Sequence, residues 1–142
     1  MFRIVYLSTA SIPFSKSELT GLLDAARLHN QSQDITGLLL YREGQFIQLL
    51  EGPEPAVCEL YERHIFRDPR HHHVTLLLEE AATERLFDHW SMGFHDLTDP
   101  ELRTLPGYSD FMNDNGPTLQ ISLDAAGYLE LFKLFRQGRL GN

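Results

Sequence analysis

An α+β fold of split β-α-β-β-α-β order, ferredoxin-like in plan with a fifth strand and C-terminal helices covering the second sheet face, is predicted by three features of the sequence. Residues 2–8 and 45–52 alternate with apolar side chains on both faces, as strands in the middle of a sheet do. Residues 35–41 read as a strand that returns through Arg42-Glu43-Gly44 into the 45–52 strand, so the two form a hairpin. Amphipathic helical stretches follow the first strand and the hairpin, a plan that packs both helices on one sheet face and makes the first and third strands neighbours.

The elements follow in order. In the first strand Phe2, Ile4 and Tyr6 share one face and Val5 and Leu7 the other. Tyr6 places a hydroxyl on a core face, where it needs a partner. A capping box between Ser15 and Glu18, with Phe14 and Leu19 as a hydrophobic staple, opens a helix. Leu19, Leu22, Leu23 and Ala26 form its apolar stripe, and the helix is expected to end near Leu28, before a polar loop over 29–34. Gly37 inside the second strand permits close approach by another group or a local bulge. In the third strand Phe46, Gln48 and Leu50 share a face. A buried glutamine must hydrogen-bond something, either neighbouring backbone or a polar ligand docked on that face. Tyr6 and Gln48 fall side by side in this plan, so a flat ligand between the two helices would sit above both.

Pro53 and Pro55 mark the start of a second helix, whose buried stripe is Val57, Leu60, Tyr61 and then His64 or Ile65, ending near Pro69. Residues 74–78 read as a fourth strand, 84–89 as a turn or short helical piece, and 90–94 as a fifth strand with Trp90, Met92 and Phe94 on one face. A short helix around 99–105 and a last amphipathic helix over 124–137 complete the chain. That last helix carries Tyr128, Leu131, Leu134 and Phe135 and is expected to cover the second sheet face.

Composition narrows the function classes. At 142 residues the chain suits one domain with a core of its own, and its 42% hydrophobic and 23% charged content is ordinary for a globular protein. No apolar run approaches membrane-spanning length and the N-terminus has no secretion signal, so a cytoplasmic protein without a membrane partner is expected. A net charge of −8 argues against nucleic-acid binding. The single cysteine, Cys58, permits no internal disulfide and reads as core filler. His71-His72-His73 point to different sides and lack a completing ligand pattern, so no metal site is expected. There is no G-x-G-x-x-G motif or P-loop.

Five segments together, in this order and spacing, resemble the BLUF family of flavin-binding blue-light sensors over roughly residues 2–95. They are Arg3-Ile4-Val5-Tyr6-Leu7-Ser8; Asn30 followed by Ile35-Thr36-Gly37-Leu38-Leu39-Leu40-Tyr41; Phe46-Ile47-Gln48-Leu49-Leu50-Glu51-Gly52; Asp68-Pro69-Arg70-His71; and Trp90-Ser91-Met92. The resemblance implies a sensor core over 1–96 and a helical extension over 97–142, binding oxidised FAD (FMN or riboflavin being the alternatives) without a covalent link.

It also implies roles for individual residues. Tyr6 and Gln48 would be the photoactive pair, with Gln48 bridging Tyr6 and the flavin edge. Asn30 would hydrogen-bond the pyrimidine ring beside His29, while Phe46, Leu22 and Ile65 would line the isoalloxazine. Arg63, Asp68 and His71 would lie near the pyrimidine and side-chain end, and Trp90 and Met92 would respond to the switch. After light excitation Tyr6 would give up an electron, a proton would move through Gln48, and the amide would rearrange. Relative to the family, one extra residue separates Tyr61 from Asp68. An added helical residue turns the rest of the helix by about 100°, leaving Arg63 or His64 to face the flavin, with Arg63 preferred as a constant donor. No output domain follows, so a separate effector protein, or self-association as a homo-oligomer, would receive the signal. The competing reading is a ferredoxin-like small-ligand regulatory module that dimerises and carries no pigment. An acylphosphatase-like hydrolase would need an arginine-bearing phosphate loop after the first strand, which the sequence lacks.

Overall fold

The computed structural model describes residues 1–10, 16–65, 71–94 and 126–139. The elements are β1 (Phe2–Ala10), α1 (Lys16–Ser32), β2 (Thr36–Arg42), β3 (Gln45–Gly52), α2 (Glu54–Glu59) running on as a π-helical turn (Leu60–Ile65), β4 (His71–Ala81), β5 (Trp90–Phe94) and α3 (Ala126–Arg136). They build one sheet in the order β4-β1-β3-β2-β5, which is the split arrangement with a fifth strand added at the β2 edge. β5 runs parallel to β2, and the other pairs are antiparallel.

The hairpin between β2 and β3 turns on Glu43 and Gly44, both at positive φ, the two-residue geometry that matches strand twist. Gly37 has φ +152°, and a Cβ there would stand 1.9 Å from the Leu49 carbonyl oxygen, so close backbone approach requires a glycine.

The sheet divides the core in two. Ile4, Tyr6, Leu39, Phe46 and Leu50 meet Leu23 of α1 and Val57, Leu60 and Ile65 of α2 and its π turn, with Trp90 and Met92 on the same side. Val5, Leu38, Leu40, Ile47 and Leu49 meet Leu86, Phe87 and, from α3, Phe132 and Phe135. Thus α3 covers the second face, as its stripe predicts. It stops in a Schellman motif, where Gly138 N–H donates to the Phe135 carbonyl at 3.0 Å and Arg139 N–H to that of Leu134 at 2.9 Å.

Four local expectations change. α1 does not end near Leu28 but continues through His29, Asn30 and Ser32, because Asn30 extends the Leu23–Ala26 stripe by a further turn and is itself buried. The fourth strand is longer than 74–78 and carries two register shifts, one at Leu77 between the partners of Val5 and Tyr6, the other between the partners of Leu7 and Thr9. Residues 84–89, expected as a turn or a short helical piece, form bends without a helix. The second helix does not stay α-helical but winds as a π turn over Leu60–Ile65. Its mark is the five-residue step between buried Leu60 and Ile65. The capping box at Ser15 and the helix around 99–105 lie outside the described residues. Among the described residues no helix is long and apolar enough to cross a membrane.

Candidate functional site

Tyr6 of β1 and Gln48 of β3 are register partners on the face covered by α1 and α2. They are 4% and 6% exposed, and the Tyr6 hydroxyl donates to Gln48 Oε1. This contact decides how Gln48 is satisfied: its partner is a side chain, not neighbouring backbone. An amide that accepts at Oε1 presents its Nε2 donor on the other edge, so Gln48 can join Tyr6 to a further acceptor. The rings of Tyr61, from the π turn, and Tyr6 meet in a T-shaped contact at 5.8 Å and 61°. The same row runs across the sheet as Leu76, Tyr6, Gln48, Leu39 and Met92.

Asn30 closes this face from the end of α1. Its backbone carbonyl accepts from Ile35 N–H at 2.9 Å, which fixes the turn into β2 and leaves the side chain 2% exposed. Asn30 Oδ1, Ser8 Oγ and Trp90 Nε1 are buried without hydrogen-bond partners among the described residues. A fourth such atom, Arg27 Nε, sits on α1 one turn before Asn30. Each orphan costs about 1–3 kcal/mol. Ser8 alternates with Tyr6 along β1, and Trp90 belongs to the same apolar cluster as Tyr6. The face therefore combines apolar walls with unpaired hydrogen-bonding atoms at its margins. That donor set fits a flat heteroaromatic ring with both N–H and carbonyl groups, as in a flavin: Asn30 would hold its polar edge, and Gln48 would reach it from the sheet.

The other expected site residues divide. Phe46 is buried with its ring tilted on Tyr41 at 4.9 Å, Ile65 is buried, and Leu22 is half-buried. Trp90 and Met92 are buried on the same face as Tyr6. His29 is exposed in the last turn of α1. Arg63 does not converge on this face: its side chain is 73% exposed, 4.0 Å from Glu59. Asp68 and the side chains of His64 and His71 lie outside the described residues. Sequence reasoning missed Ser8, although its alternation with Tyr6 was the available signal.

It also missed a charged network on the opposite face. Arg3 Nε contacts Glu51 Oε2 at 3.1 Å, Nη1 contacts Glu80 at 2.8 Å, and Nη2 donates to the Glu84 carbonyl at 2.8 Å. The Tyr128 hydroxyl of α3 donates to Glu80, and the Arg3 guanidinium lies 5.4 Å from the Tyr128 ring centroid. Hydrogen bonds from Tyr128 and then Arg3 hold the Glu80 carboxyl below its ordinary value. Burial, then the bond to Glu80, pushes the Tyr128 phenol up to about 12. Burial works against the Arg3 charge, but its bonds to Glu80, Tyr128 and Glu51 raise its pKa above the ordinary guanidinium value. Glu51 stands out in retrospect as a carboxylate following Ile47 and Leu49 on an apolar face.

Comparison with known proteins places these observations. The family model described as BLUF, sensors of blue-light using FAD, matches residues 1–93. The chain is 37% identical over 111 residues to photoactivated adenylate cyclase subunit beta of Euglena gracilis, a match covering 78% of this chain and 13% of that protein. It is 41% identical over 76 residues to the blue light- and temperature-regulated antirepressor BluF of Escherichia coli (strain K12), covering 54% of this chain and 19% of that one. The dark-state structure of BlrB, a BLUF protein, superposes with a TM-score of 0.64 at 30% identity over 97% of this chain and 94% of that one. The chain thus spans roughly an eighth of the length of the cyclase subunit, at 13%.

Proposed function

The chain belongs to the BLUF family, sensors of blue light using FAD, and on that premise we propose that Tyr6 and Gln48 are its photoactive pair and that the response passes through β5 and α3 to a separate effector protein. The buried Tyr6–Gln48 hydrogen bond, on a face where Asn30 keeps an unpartnered Oδ1, is the observation that carries this reading.

Bound FAD would supply blue-light absorption and an acceptor for one electron. The protein's residues supply the rest. The Tyr6 phenol, once oxidised, must release its proton, and Gln48 Oε1, which already accepts the phenol's hydrogen bond, is placed to take it. An amide has a donor and an acceptor end, so rotation of Gln48 or transfer of a proton between its ends exchanges hydrogen-bond partners without backbone movement. Burial keeps water from competing for either end. Asn30 orients the ring, with its backbone fixed through Ile35. Leu39 and Met92 follow Gln48 in the same row, a contact path to the fifth strand.

We read the chain as a sensor and not an enzyme. The segment it shares with its relatives occurs both in a cyclase subunit and in an antirepressor, so the shared part tracks light reception and not the cyclase activity. A cytoplasmic protein that forms homo-oligomers belongs to the same proposal.

The test is the visible absorption spectrum of the purified chain with FAD, in the dark and after blue light, alongside Gln48→Leu. A reversible shift of the flavin band to longer wavelength in the wild type and none in the variant is expected. A chain that takes up no FAD, or a variant that shifts fully, overturns the assignment.

A further inference from the structure

Residues 82–89, between β4 and β5, cross the sheet from one edge to the other, since these strands are its two outermost. The strap follows one row of register partners, Glu80, Arg3, Glu51 and Thr36. It is fastened along its length. Ala82 N–H donates to the Met1 carbonyl at 2.8 Å, and the Glu84 carbonyl accepts from Arg3. Arg85 reaches Thr36 Oγ1 at 2.7 Å and the Asp34 carbonyl at 2.8 Å. Leu86 and Phe87 both donate their backbone N–H to Glu51 Oε1, at 2.8 and 2.7 Å. Gly37 N–H donates to the His89 carbonyl at 3.2 Å.

Glu51 is fully buried, and both of its oxygens are occupied, one by the strap and one by Arg3. Two successive N–H groups on one carboxylate oxygen form a directional grip on the strap. Glu51 stands three residues after Gln48 on β3 and on the opposite face, roughly 10 Å along the strand. The gripped Phe87 rests its ring against Phe132 of α3 at 6.3 Å, and Trp90 begins β5 three residues later.

We propose that Glu51 is a positioning residue of the light response, whose grip on Leu86 and Phe87 makes the strap move with the Gln48 strand and so sets the placement of β5 and α3. The inference rests on the reading of Gln48 as the switch.

Trp90 is the single tryptophan of the chain, so indole emission reports on β5 alone. The experiment follows the flavin absorption band and the Trp90 emission together, dark and after blue light, in FAD-loaded wild type, Glu51→Gln, Glu51→Leu and the double variant Arg3→Met/Glu51→Leu. The flavin band is expected to shift reversibly in all of them. The light-induced change in emission should keep at least about half its size in Glu51→Gln, whose amide oxygen still accepts both N–H groups, and fall below about a fifth in the two leucine-bearing variants. The double variant leaves no unpaired buried guanidinium, so it stands in if Glu51→Leu fails to fold. A full emission change in the leucine variants overturns the proposal, as does its loss in Glu51→Gln. Loss of the flavin shift in the double variant also overturns it, by showing a role in folding alone. A wild type that shows no flavin shift sinks the reading of the switch instead, and the proposal with it.

Discussion

On the side of the sheet covered by α1 and α2, Ser8, Asn30 and Trp90 bury polar atoms that lack partners among the described residues. On the α3 side, Arg3 and Glu51 bury full charges, and each guanidinium nitrogen and each carboxylate oxygen has a partner. A chain that can saturate two charges on one face has not left neutral groups unsaturated on the other for want of donors. In the proposed reading the unpaired atoms are left for the flavin, and the saturated ones fix the frame around it.

Substitutions that remove a partnered polar group should therefore destabilise the ligand-free chain, and one that removes an unpaired group should stabilise it. The largest effect is expected from Glu51→Leu, which leaves Arg3 buried without its β3 partner and should cost about 3–5 kcal/mol in urea unfolding. Arg3→Met/Glu51→Leu should recover most of that loss, and a double variant no better than the single would break the account of the frame. Gln48→Leu comes next. It removes the Oε1 that accepts from the buried Tyr6 hydroxyl, at a cost of about 1 kcal/mol, and an unchanged unfolding midpoint would show that this bond adds nothing to stability. Asn30→Leu should act the other way, raising ligand-free stability by about 1 kcal/mol while weakening FAD uptake in a fluorescence titration. A loss of stability there would mean that Oδ1 is satisfied.

The smallest effects lie in the pH dependence. Glu80 is held below its ordinary value, so its contribution is present above that value and fades as pH falls through the lowered folded one. Its side chain is 40% exposed, which makes this term slight. Tyr128 has the opposite sign: its contribution is complete below 10 and is lost as pH climbs through about 12. In thermal denaturation across pH, Tyr128→Phe should flatten both limbs, and an unaltered alkaline limb would remove Tyr128 from the network.

What the sequence made legible was whatever alternation and element order determine. The Tyr6–Gln48 pairing follows once β1 and β3 are neighbours, and Trp90 and Met92 share a face because strands alternate. The stretch 29–34 read as a loop because its side chains are polar, yet Asn30 keeps the helical spacing from Leu23 and Ala26, and that spacing governed the outcome. No residue type announces a π turn. Arg63, on that turn, lies exposed beside Glu59. The strap was beyond local reasoning, since its course depends on Glu51 and Arg3, which lie 35 and 81 residues away from the groups they hold.

β4 bears on assembly in a way its pairing alone does not convey. It is an outermost strand of eleven residues, long enough to recruit a strand from another molecule. Its two register shifts, with His73 at positive φ near one of them and exposed Leu77 at the other, break the even spacing of groups that an incoming strand would have to match. Copies of this chain that associate should therefore not extend the sheet by pairing strand to strand along β4.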